Sequence, residues 1–219
     1  MKFAKDTKTK EEEPSENLNL LDLIVADTGN DNSFRTIGLY GDVDEESSST
    51  LVHSLFSLAE TGKIETLKEP ENEECMETIT TYEPIKLIVS THGGSAHEMF
   101  SIYDTMRLVR ENYEIETIGL GKVMSAGVLL LAAGTKGKRR IGANCRIMIH
   151  PVSAASMGDL QDLENDTKEI KYLQESYVNS LVSETSMTKK YIKRLIGKKV
   201  NIYINAEEAI ELGIADKII

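Results

Sequence analysis

The sequence predicts an α/β domain whose parallel strands are joined by crossover helices, and three observations lead there. Compact apolar runs of strand length alternate with segments whose apolar residues recur every three or four positions, a pattern that implies parallel pairing through right-handed crossovers. Two of the runs end in turns that lead into a helix, Gly93-Gly94 and Met124-Ser125-Ala126-Gly127. With 219 residues, 40% hydrophobic and 28% charged, the chain is long and apolar enough for one well-buried domain.

Residues 1–19 carry Lys and Glu clusters, including Glu11-Glu12-Glu13, with little to bury; they read as a mobile charged arm ahead of a domain over residues 20–219. A first strand is expected from Arg35 to Asp42, closed by a turn. Asp44 then caps a helix with Leu51, Leu55 and Leu58 on one face. Thr61 to Glu83 is rich in Glu and Thr, shows no sustained period and contains Pro70, so it reads as a long excursion outside the core. Ile85 to Ser90 is a strand running into Gly93-Gly94. Met99, Ile102, Met106 and Val109 form the buried stripe of the next helix.

A further strand, Ile115 to Leu120, precedes Ser125. The nearly all-apolar helix from Ser125 through Ala133, ended by Gly134, must be buried on most sides. Ile147 to Ile149 is a short strand with His150 at its end. Asp159 to Glu184 carries Leu160, Leu163, Ile170, Leu173, Tyr177 and Leu181 in a drifting three-to-four repeat, long enough either to lie on the domain or to project toward a symmetry mate. Asn201 to Ile204 reads as a last strand. Asn205-Ala206-Glu207-Glu208 is a capping box that opens a helix ended by Gly213.

Composition narrows the function. A net charge of −11 disfavours nucleic acid or an anionic membrane as partner, since both attract basic patches. No apolar run approaches the ~18 residues of a membrane span. The polar start is neither a secretory signal nor an Arg-rich transit peptide. Cys75 and Cys145 lack metal-ligand spacing and are too few for a disulfide scaffold, so a reducing cytoplasm is the expected compartment. The sequence calls for no metal and no cofactor.

What remains is nucleophilic chemistry. The carboxyl ends of parallel strands face one way, so the Gly93-Gly94 and Ser125 turns are expected to meet in one crevice. A serine at a helix start has free backbone N–H groups beside it, suited to a developing negative charge. It needs a base, and His150, among histidines 53, 92, 97 and 150, is best placed to be one. Read alone, Ser125 is more often an N-cap, and a histidine after a strand more often structural.

Several ordered motifs change that balance. S-I-Y-D-T-M-R from Ser101 to Arg107, the M-S-A-G turn, L-L-L-A-A-G-T-K-G-K-R-R, R-I-M-I-H and the final E-A-I-E-L-G-I-A-D together resemble the proteolytic subunit of the Clp protease family, over roughly Arg35 to Ile219. The 25-residue step from Ser125 to His150 also matches. The resemblance implies a crotonase-like fold in which the long helix is a projecting handle. It implies stacked heptameric rings of this chain around a chamber, fed with unfolded polypeptide by a hexameric ATP-dependent AAA+ unfoldase of the Clp type. Ser125 is then the nucleophile, His150 the base, and the N–H groups of Gly94 and Ala126 the oxyanion hole. Pro151, Val152 and Ser153 fall in the segment expected to pair with substrate backbone.

The chain departs from the family at the third catalytic position. The family has an Asp seven residues before the Glu of its E-A motif, and counting back from Glu208 reaches Asn201. An amide can accept the imidazole N–H bond but supplies no negative charge for an imidazolium, and in another serine peptidase the Asp-to-Asn change removed about 10⁴ in turnover. Asp159, Asp162 or Glu164 could supply a carboxylate instead. His92 stands where the family has proline in its S-P-G-G turn, and a shape effect is expected from it. The segment after His150 lacks the family's Gln and glycines. The 61–83 excursion is longer than the family's connection and is expected on the outer surface near the unfoldase-docking face. Three further readings compete: a structural ring subunit without catalysis, motivated by Asn201; an acyl-CoA hydratase or isomerase, which shares the crotonase fold; and a Ser–Lys dyad using Lys122.

Overall fold

The structure, a computed structural model, describes residues 34–67, 78–198 and 200–219. The arm over residues 1–19, the start of the domain at residue 20, Pro70 and Cys75 lie outside them. From Arg35 onward the described residues form one compact unit.

Its centre is a mostly parallel sheet. β1 (Thr36–Val43) pairs in parallel with β4 (Ile85–Gly94), and β4 with β5 (Ile115–Met124). Beyond β5 the sheet forks. The first half of β5 pairs with β6 (Arg139–Ile141), which pairs with β9 (Lys217–Ile218); the second half pairs with β7 (Arg146–Ile149). The cause is a bulge: Val89 faces Gly119 and Thr91 faces Val123, so Leu120, Gly121 and Lys122 arch out opposite Ser90. Bulges bend and twist the strand that carries them. This one turns the end of β5, with Ser125 just beyond it, away from the main sheet and alongside β7.

The expected all-parallel pairing needs two corrections. β8 (Ile202–Ile204) runs antiparallel to β7, and the 61–83 excursion contains a hairpin, β2 (Lys63–Leu67) against β3 (Thr78–Tyr82), also antiparallel. The hairpin left no period in the sequence because neither face is buried: nine of its ten residues are exposed and Thr80 is half-buried, so Thr, Lys and Glu share positions with Ile64, Leu67 and Ile79. The two described strands of the excursion lie outside the core, as expected. Strands expected to stop at Ser90 and Leu120 run on to Gly94 and Met124, because the turn residues themselves pair.

The helices bury the stripes their spacing dictates, except that Leu160 and Leu163, expected in the stripe of the longest, are exposed. α1 (Glu45–Thr61) starts at Asp44, whose carboxylate accepts the Ser47 N–H at 2.8 Å while Ser47 Oγ answers the Asp44 N–H at 3.0 Å. It buries Leu51 and Leu55 and packs on α2 (Ala96–Val109), which buries Met99, Ile102, Met106 and Val109. α3 (Ala126–Ala132) is buried at all seven positions against β4, β5 and β7. α4 (Leu160–Glu184) divides in two: residues 160–169 are all exposed, while Leu173, Tyr177, Val178 and Leu181 are buried. Its first half therefore buries no side chain against the domain, touching it only at the surface, as where Glu169 lies 3.8 Å from His97, and its second half packs on α3 and α5 (Lys189–Gly197).

The last elements are clamped by charge. Arg139, 4% exposed, donates to the carbonyls of Glu184 at 2.7 Å and Gly213 at 2.8 Å, and its Nε to Asp216 Oδ2 at 2.8 Å. The K-R-R and L-G-I-A-D motifs are thus one structural unit, tying β6 to β9 and to the turn after α6 (Ala206–Glu211). Asn205 caps α6 through the expected reciprocal bonds with Glu208. No helix among the described residues is long and apolar enough to cross a membrane.

Candidate active site

The crevice expected from the two turns is present. A cavity of about 140 Å³ is lined by Gly94, Ser95, Ala96, Met99, Ser125, Ala126, His150, Pro151, Val152, Ser153 and Tyr177. Every residue assigned from the sequence lies on it except Asn201. The larger groove between α2 and α4 is lined by Arg107, Arg110, Lys136 and Glu184 and by no histidine.

Ser125 is held in an unusual conformation, φ 53° and ψ −117°, the only positive φ of a non-glycine residue among those described. Such backbone costs of order 1–3 kcal/mol and persists only where its surroundings enforce it. Here they do. Its N–H donates to the Met148 carbonyl at 2.8 Å, extending the β5–β7 pairing by one residue. Its carbonyl accepts from Val128 N–H at 3.1 Å and from the Tyr177 hydroxyl at 3.1 Å.

The alternative that Ser125 is simply an N-cap fails on geometry. It occupies the cap position of α3 but its side chain makes no capping bond, which leaves Oγ free in the cavity. Ala126, the first residue of α3, has no carbonyl one turn earlier to take its N–H.

The Gly93-Gly94 turn is pressed against the nucleophile. A Cβ on Gly93, where φ is 97°, would sit 2.5 Å from Ser125 Cβ and 3.0 Å from Ala126 N; one on Gly94, where φ is 158°, would lie 2.2 Å from the Val43 carbonyl oxygen. Glycine is needed at both because backbone passes within contact of backbone.

His150 follows β7 directly and is the histidine of the cavity; His92 and His53 are exposed, and His97 lies 3.8 Å from Glu169 at the surface. Asn201 sits outside the cavity lining and is exposed. The strand register next to it is informative all the same. β7 and β8 pair Ile147 with Ile204, Met148 with Tyr203 and Ile149 with Ile202, where the pairing ends; extended by one step, that register would set His150 opposite Asn201. Directly opposed residues of an antiparallel pair hold their Cβ atoms about 4.5–5.5 Å apart. Among the described residues, the side chains of Ser125, His150 and Asn201 take no hydrogen-bond partner; such bonds are commonly loose without substrate and tighten in the reacting complex.

The other carboxylates considered for this role are elsewhere. Asp159 is the N-cap of α4, accepting from Asp162 N–H at 3.0 Å, and neither these two nor Glu164 lines the cavity. Lys122 pairs with Arg146 in the sheet, away from the cavity. After His150, residues 150–157 run without regular secondary structure and without backbone hydrogen bonds to other described residues, so their donors and acceptors are available to an extended peptide. Burial pushes the Cys145 thiol up to about 11, which makes it inert. Among the described residues no group of three or more His, Cys, Asp or Glu is placed to hold a metal ion.

Reading the sequence alone leaves Tyr177 in the apolar stripe of α4. It lines the cavity and bonds the nucleophile's carbonyl, which the three-to-four repeat could not distinguish from ordinary packing.

Comparison with known proteins gives the family. The Clp protease family model matches residues 74–219. The ATP-dependent Clp protease proteolytic subunit 1 of Corynebacterium glutamicum is 36% identical over 135 residues, which cover 61% of this chain and 63% of the relative. The ATP-dependent Clp protease proteolytic subunit of Deinococcus radiodurans is 35% identical over 135 residues, covering 62% and 64%. The chain thus spans a little under two thirds of the length of these curated relatives.

Proposed function

Because the chain belongs to the Clp protease family, we propose that it is a serine endopeptidase subunit that cleaves unfolded polypeptide. The observation that carries the reading is Ser125, strained, uncapped and sharing a cavity with His150.

In this reading a substrate strand lies along residues 150–157. His150 takes the Ser125 hydroxyl proton as Oγ attacks the scissile carbonyl. The resulting oxyanion is received by the N–H groups of Gly94 and Ala126, donors whose individual loss elsewhere costs about 10²–10³ in rate. The imidazolium returns the proton to the departing amine, leaving an acyl ester on Ser125. Water, deprotonated by the same histidine, then releases the acyl product and restores the serine. Asn201 orients the ring by accepting its second N–H but contributes no charge, so turnover is slower than an Asp would give.

The exposed half of α4 suits the handle of a stacked ring, and a homo-oligomer of paired heptamers in the cytoplasm, served by a hexameric Clp-type unfoldase, is part of the proposal. The exposed β2–β3 hairpin belongs on the outer surface of such a ring.

The test is hydrolysis of a fluorogenic peptide and of an unfolded protein by the purified full chain, compared with Ser125→Ala. Hydrolysis by the parent and none by the variant is expected. Asn201 motivates a second reading, a ring subunit without catalysis. That reading gains if the assembled parent hydrolyses neither substrate while Asn201→Asp hydrolyses both.

A further inference from the structure

Tyr177 touches the nucleophile turn at the atom that controls its peptide plane. The phenol lies in the packed half of α4, is 4% exposed, and donates to the Ser125 carbonyl oxygen at 3.1 Å. That carbonyl belongs to the same peptide unit as the Ala126 N–H. A trans peptide is planar, with C=O and N–H pointing to opposite sides. Fixing one end therefore aims the other. The Ser125 N–H is fixed separately, by the Met148 carbonyl at 2.8 Å.

We infer that Tyr177 is a positioning residue that aims and polarises the Ala126 N–H toward the oxyanion, acting through the Ser125 carbonyl; this rests on the peptidase reading of the same site. Two physical effects combine. The bond holds a peptide whose preceding residue sits at φ 53°, a conformation with little intrinsic preference to persist. It also draws electron density toward the carbonyl oxygen, making the N–H of that peptide a stronger donor, since linked hydrogen bonds reinforce one another. Val128 N–H, at 3.1 Å, supplies a second bond to the same oxygen, so removing the phenol weakens the arrangement without abolishing it. Burial raises the Tyr177 pKa above its ordinary range, so the group remains a donor at any working pH. The ring also forms part of the cavity wall, which makes the hydroxyl separable from the packing: Tyr177→Phe removes only the former.

A merely structural tyrosine would not distinguish ground state from tetrahedral state. The experiment uses the full chain in its own assembly and measures four quantities: kcat and KM on a fluorogenic peptide, the Ki of a peptide boronate that forms a tetrahedral adduct with Ser125, and the Kd of the same peptide without the boronate. Full loss of one oxyanion donor costs about 10²–10³. With Val128 retained, Tyr177→Phe is expected to lower kcat and boronate affinity about tenfold, and to leave KM and the plain peptide's Kd within about twofold. Tyr177→Met, which also removes the hydroxyl and keeps an apolar wall, is read in the same way should the Phe variant fail to fold. Tyr172→Phe, on the exposed face of the same helix, should match the parent.

A folded Tyr177→Phe protein whose kcat and boronate affinity stay at parental values overturns the inference. So does a parallel loss of plain-peptide and boronate affinity, which would mark a packing role. A parent that forms no boronate adduct on Ser125 overturns the peptidase reading itself, and the inference with it.

Discussion

Gly93→Ala gives the sharpest account of how the fold makes the site. The new methyl would lie 2.5 Å from Ser125 Cβ, 2.9 Å from the Met124 carbonyl oxygen and 3.0 Å from Ala126 N. Carbon atoms sit comfortably at about 3.5–4.0 Å, so the Ser125 turn must retreat by about 1 Å. The obstructing atoms are backbone and the nucleophile's own Cβ, none of which can swing aside. A 1 Å misplacement of reacting groups costs about 10²-fold. The positive φ of 97° adds strain of about 1–2 kcal/mol. Gly137→Ala separates the two effects, because Gly137 has φ 82° and nothing within 4 Å of its added Cβ. The expected result is a 100-fold fall in kcat/KM for Gly93→Ala with the assembly retained. Gly137→Ala should lose about 1–2 kcal/mol in urea denaturation with kcat/KM unchanged. Parental kcat/KM in Gly93→Ala, or an equal loss in Gly137→Ala, would refute the reasoning.

Two further outcomes follow from the site and the core. In the proposed triad, Asn201→Asp supplies the imidazolium with a charge and should raise kcat at least about tenfold, read by peptide hydrolysis; an unchanged kcat would remove Asn201 from the machinery. Glu184, 5% exposed, is bound by Arg110 at 2.8 and 3.1 Å and by the Tyr103 hydroxyl at 3.0 Å. Burial pushes its carboxyl up, but the Arg110 guanidinium and the Tyr103 hydroxyl outweigh this and hold it below the ordinary range. A folded pKa below the unfolded value gives stability that is complete above about pH 4.3 and lost as pH falls through the folded value. Glu184→Gln should therefore cost about 3 kcal/mol at pH 7 and flatten the fall in urea midpoint on acidification; an unchanged acid profile would contradict the sign.

The sequence made the central sheet legible because its strands are buried on at least one face. Leu87, Val89 and Ile115 are fully buried and read as apolar runs, and the all-apolar α3 announced its own burial. The β2–β3 hairpin escaped notice for the opposite reason, since an element with no buried face leaves no alternation. α5 is legible too, since Thr188 caps it and Ile192, Leu195 and Ile196 keep helical spacing. β6 and β9 are too short for any period, and what fixes them is the Arg139–Asp216 pair, a contact 77 residues apart in sequence. At the site, the turns and the histidine were readable as motifs. The bulge that turns β5 toward β7, and the phenol reaching Ser125 from α4, are tertiary facts.

The reading stands on Ser125 as a nucleophile activated by the fold. Reacting the native full chain with a fluorophosphonate and locating the adduct by peptide mass spectrometry tests this most directly. One phosphonyl group on Ser125, absent from urea-unfolded protein and greatly slowed in His150→Ala, is the predicted result. No adduct on the assembled native protein, or one carried by a serine outside the cavity, would contradict it.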